Sequence, residues 1–75
     1  MTESDRPVKR SVTLRGHRTS FSLENAFWEE FRRLATAEGK SLNALAAEID
    51  ETRTPPASLA SAIRLYVLRQ IKAGR

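Results

Sequence analysis

Residues 18–23, Arg18-Thr19-Ser20-Phe21-Ser22-Leu23, alternate without a break. Thr19, Phe21 and Leu23 fall on one side, and Arg18, Ser20 and Ser22 on the other. Period two, with a β-branched residue and an aromatic on the less polar side, predicts a short half-buried strand. A lone strand leaves a row of backbone donors and acceptors unpaired, so this one needs a partner. Two partners are open. One is a second copy of the same strand across a two-fold axis. The other is the segment just upstream, where Val12 and Leu14 alternate with Ser11, Thr13 and Arg15. A two-residue Gly16-His17 turn, glycine first, would then set Val12 opposite Phe21 and Leu14 opposite Thr19. Otherwise residues 10–15 simply extend the N-terminal arm. Residues 1–9 are polar, carry Pro7 and read as a flexible basic arm.

Downstream the period changes. Phe27, Phe31, Leu34 and Ala35, widened by Trp28, mark one stripe of a helix near 24–38. Ser22 is its expected N-cap, with Glu24 at the positive end of the dipole, and Gly39 suits the left-handed residue after its end. Ser41 caps a second helix near 42–51, striped by Leu42, Leu45, Ala46 and Ile49. Thr54-Pro55-Pro56 closes it off. Ser58 caps a third helix near 57–73, with Leu59, Ala62, Ile63, Tyr66, Val67 and Ile71 on the main stripe. Leu65 and Leu68 lie off that stripe, so this helix is apolar over more than half its circumference. Such a helix is deeply buried or shared with another chain.

Seventy-five residues make one small domain, of a size that often needs a disulfide, a metal or a partner subunit. There is no cysteine, and His17 is the only histidine, so disulfides and thiolate or histidine metal cages are excluded. Oligomerisation is the stabiliser that remains. Lack of cysteine fits a reducing cytoplasm. No apolar run approaches the roughly 20 residues of a membrane span, and the polar start is not a secretory signal.

The net charge of +4 is unevenly spread. Residues 1–20 carry Arg6, Lys9, Arg10, Arg15 and Arg18 against Glu3 and Asp5. Residues 57–75 carry Arg64, Arg69, Lys72 and Arg75 with no acid, while the middle is acidic. Basic ends attract polyanions by counterion release. A two-stranded ribbon fits the major groove of B-DNA, where Arg18 could donate twice to a guanine and the hydroxyls of Ser20 and Ser22 could donate or accept. The helix end at Ser41, with Lys40 beside it, offers unpaired N–H groups to a phosphate. Such contacts position a protein without reading sequence.

This order of parts resembles the ribbon-helix-helix family, the class of the Arc and MetJ repressors. The resemblance covers about residues 17–50. It rests on Arg18–Leu23 followed by Glu24, on the helix Phe27–Ala37, and above all on Glu38-Gly39-Lys40-Ser41-Leu42-Asn43. The whole chain looks most like a bacterial subgroup that adds a C-terminal helix. The resemblance implies a mainly α fold with one short β-strand or a hairpin, an intertwined homodimer, and a transcriptional repressor or autoregulator. It gives base reading to Arg18, Ser20 and Ser22, and phosphate anchoring to Lys40, Ser41, Asn43 and the backbone at Leu42. Lys9, Arg10 and Arg15 are auxiliary basic residues of the arm. Double-stranded DNA and a second copy are the expected partners, with no cofactor and a cytoplasmic, nucleoid-associated location.

No nucleophile–base pair, metal set or Gly-rich phosphate loop is visible, so no enzymatic activity is expected. The alternative is a protein-interaction module or antitoxin whose helix 57–73 holds a partner protein. Exposure of Leu65, Tyr66 and Leu68 would favour it, and burial would favour a helix that caps its own dimer core.

Overall fold

The computed structural model describes residues 6–74. A β-hairpin is followed by three helices: β1 (Pro7–Leu14), β2 (His17–Glu24), α1 (Asn25–Ala37), α2 (Leu42–Thr52) and α3 (Leu59–Lys72). Among the described residues there are therefore two strands, not one. β1 also takes in Pro7, Val8 and Lys9, which the sequence pattern gave to an arm. The rest of that arm, apart from Arg6, lies outside the described residues.

The turn is Arg15-Gly16 rather than Gly16-His17. Both residues have positive φ, 51° and 84°, the combination of a primed two-residue turn whose twist matches that of the strands. Leu14 then faces His17, and Val12 faces Thr19 instead of Phe21. This displaces the expected register by two residues. Because side chains alternate with period two, the faces are unchanged.

The inner face packs on the helices. Leu23 is fully buried and Phe21 partly so, as the alternation predicts. Val12 and Leu14 of β1 join them. From the helices come Phe31, Leu34 and Ala35 of α1, Leu45, Ala46 and Ile49 of α2, and Leu59, Ala60, Ile63 and Val67 of α3. One core thus draws on every element, which fixes the hairpin's inner face and leaves its outer face in water.

Helix ends follow local chemistry, with one exception. Ser41 Oγ accepts the Ala44 N–H at 3.1 Å, and Ser58 Oγ accepts that of Ser61 at 3.1 Å. After α1, Gly39 at φ 70° lets the Gly39 N–H reach Thr36 O and the Lys40 N–H reach Ala35 O. That pair of bonds satisfies carbonyls the helix leaves open. The exception is the start of α1. Ser22 is still in the strand, opposite Lys9, and the N-cap position falls to Glu24, whose side chain makes no cap bond. Its carboxylate instead accepts from Arg64 of α3 at 2.9 and 3.1 Å, tying the strand end to the last helix.

Candidate nucleic-acid interface

The outer face of the hairpin is a polar surface built by both strands. Lys9 stands opposite Ser22, Ser11 opposite Ser20, and Thr13 opposite Arg18. Ser11 is half-buried; the others are exposed. Arg18, Ser20 and Ser22 therefore do share one open face. Sequence reasoning left Ser11 and Thr13 undecided and placed Lys9 in the arm. The signal that would have added them was the alternation of 10–15, continued back to Pro7.

The N-terminus of α2 lies beside this face. The Thr13 N–H donates to Asn43 Oδ1 at 3.0 Å. One side chain thus links β1 to the first turn of α2. The amides of that turn lie close to the ribbon's β1 edge, where a phosphate flanking the groove could meet them. Ser41 is exposed but its Oγ already caps Ala44, and Leu42 is half-buried.

A family model for the ribbon-helix-helix domain matches residues 7–71. The chain belongs to the ribbon-helix-helix family. No curated protein and no solved structure matches it. Ribbon-helix-helix domains are generally DNA-binding regulators rather than enzymes. The match runs into α3, as far as residue 71.

Three of the expected basic contacts are otherwise engaged in this ribbon-helix-helix chain. Arg10 lies on the inner side of β1. Its guanidinium sits 5.0 Å over the Trp28 ring, donates to Leu23 O at 3.4 Å and bonds Asn25. It pins the ribbon to α1 and belongs to no arm. Arg15 pairs with Glu51 at 2.7 Å and Asp50 at 3.8 Å, fastening the hairpin turn to the end of α2. Lys40 lies between Glu48 at 2.7 Å and Glu38 at 3.2 Å. The hydrogen bonds it donates to those carboxylates, Glu48 first, raise its pKa above the ordinary lysine value. Tyr66 of α3 bonds the same Glu38. Among the described residues, no helix is long and apolar enough to cross a membrane.

Proposed function

We propose that this protein is a transcriptional regulator, a repressor or autoregulator, that binds double-stranded DNA as a homodimer through the outer face of its hairpin. The observation that carries the reading is the face itself. Hydroxyls and two cations stand in register on a rigid two-stranded ribbon, with a helix N-terminus joined to its edge at Thr13.

The second copy takes the open edge of β2. The sheet ends there, whereas β1's far edge meets α2 at Asn43. Antiparallel pairing of β2 with its copy gives the order β1-β2-β2-β1. At about 4.8 Å per strand, the outer strands lie roughly 14 Å apart, close to the ~12 Å width of the major groove. The central pair enters, bringing Arg18, Ser20 and Ser22 twice to the base edges. Lys9 of each outer strand faces a phosphate wall, and the first-turn amides of α2, Ser41 to Asn43, anchor the backbone beyond it. The protein works in the cytoplasm, on the nucleoid.

Gel-shift titrations against DNA from its own promoter region and against scrambled DNA test this. Selective binding that weakens steeply with salt is expected. Failure to select any sequence, in a random-sequence enrichment as well, would refute it. A Ser20→Cys variant reports the assembly separately: disulfide-linked dimers are expected if two β2 strands run side by side.

A further inference from the structure

α3 carries a surface that the core does not use. Leu65, Leu68 and Ile71 are 46, 50 and 48% exposed. Single exposed leucines are ordinary, but a run spaced by three residues along one helix is a patch. The patch continues into a groove of about 340 Å³ between the end of α2, the Thr54–Ala57 link and α3. Ile49, Ala62, Leu65 and Tyr66 line it together with Arg53 and Arg69. Apolar side chains inserted from outside would find both a recess and a stripe.

The charges around it say what carries those side chains. Arg69 follows Leu65 by four residues and Lys72 follows Leu68 by four, so a cation lies one turn beyond each exposed leucine. Both cations are exposed in the last turn of α3. Residues 57–75 contain no acid to balance them. Among the described residues, the other cations nearby are already matched: Arg64 by Glu24 and Arg53 by Asp50. Two copies laid α3 against α3 would set like charges face to face. Glu48 and Glu51, which could answer them from α2, are held by Lys40 and Arg15.

We propose that this groove and stripe bind an acidic amphipathic segment of another protein, its apolar side chains seated between α2 and α3 and its carboxylates on Arg69 and Lys72. The site lies on α3, away from the polar face of the hairpin, and does not depend on the DNA-binding reading.

The test uses the full chain, isotope-labelled for NMR, with a synthetic helical peptide of leucine and glutamate at amphipathic spacing. The controls are the same peptide with lysine for glutamate, and anionic phospholipid vesicles. Saturable binding of the acidic peptide is expected, with shifts centred on Leu65, Tyr66, Leu68 and Arg69. Arg69→Glu and Leu68→Ser should each weaken it by about tenfold. Leu68→Ser should leave the sedimenting mass and DNA affinity unchanged; both sites are exposed, and circular dichroism confirms that the variants fold. Four results would overturn the proposal: no binding of the acidic peptide, equal binding of the lysine peptide, preference for vesicles, or dissociation of dimers by Leu68→Ser. The last would show that a second copy covers the stripe.

Discussion

Replacing Arg18 by lysine separates base reading from simple attraction. Arg18 is exposed, stands across the ribbon from Thr13, and enters none of the ion pairs made by the described residues. Its replacement should therefore change stability by less than about 0.5 kcal/mol, as for most surface positions. Lysine keeps the charge but loses the planar fork that donates twice to guanine O6 and N7. Each such contact is worth about 1–3 kcal/mol of discrimination, and a homodimer makes it twice, so roughly 2–6 kcal/mol is at stake. That converts to a fall in the ratio of specific to non-specific affinity of about 30-fold to about 20,000-fold. The assay is competition binding of Arg18→Lys and wild type on cognate and scrambled DNA across a salt series. The salt slope should stay the same while the ratio collapses. An unchanged ratio would refute base reading by Arg18, and a slope that falls by about 0.9 per protomer for Arg18→Ala, ratio intact, would make it a phosphate contact instead.

Phe31 is fully buried at the centre of the core. Phe31→Ala should cost about 3–5 kcal/mol, a large part of the ~4–11 kcal/mol expected for a domain this size, and should show as a much lower urea midpoint. Glu24 is held below the usual carboxylate range by its own backbone N–H first and by Arg64 as well, against the opposing effect of desolvation. A lowered folded value means its stabilisation is full above the ordinary carboxylate pKa and fades as pH falls through the lowered one. Glu24→Gln should therefore lose stability at neutral pH and show a flatter acid limb in thermal melts. Glu48→Gln frees Lys40 from its nearer carboxylate and should steepen the salt dependence of DNA binding, by up to about 0.9 in slope per protomer; an unchanged slope would mean that Lys40 does not reach phosphate.

What was legible in the sequence is what local periodicity encodes. The faces of 18–23, the stripes of the helices, the caps at Ser41 and Ser58 and the glycine after α1 all follow from neighbours a few residues apart. Most of the errors share a different origin: a contact distant in sequence decided them. The turn chose Arg15-Gly16, although a non-glycine residue with positive φ is uncommon. Arg15's side chain is held by Asp50 and Glu51, which no local pattern reveals. Ser22 lost its capping role because β1 extends back to Pro7 and keeps Ser22 in the ladder. Arg10 was misplaced for a reason the sequence did contain. It shares the parity of Val8, Val12 and Leu14, and so the inner face. Trp28, which covers it there, belongs to another element.

The same distinction bears on how the proposed DNA-facing surface is charged. Read locally, Lys40 adds a positive charge to the helix end at Ser41. In the fold, Lys40 is shared by Glu38 and Glu48, so this cluster is acidic rather than basic. A phosphate arriving at the first turn of α2 would be drawn by the backbone amides and the dipole, against rather than with the neighbouring side chains. The ribbon differs. Lys9 and Arg18 stand among hydroxyls, and the one carboxylate on that face among the described residues, Glu24, is turned to Arg64. On the proposed reading, net attraction for DNA therefore resides on the hairpin, and α2 contributes placement. The Thr13–Asn43 bond couples the two, since it fixes where the amides lie relative to the strand that carries Lys9, Ser11 and Thr13. An anchor of that kind favours DNA whose phosphates stand at the right distance from the groove floor. It can add selectivity for groove shape without touching a base.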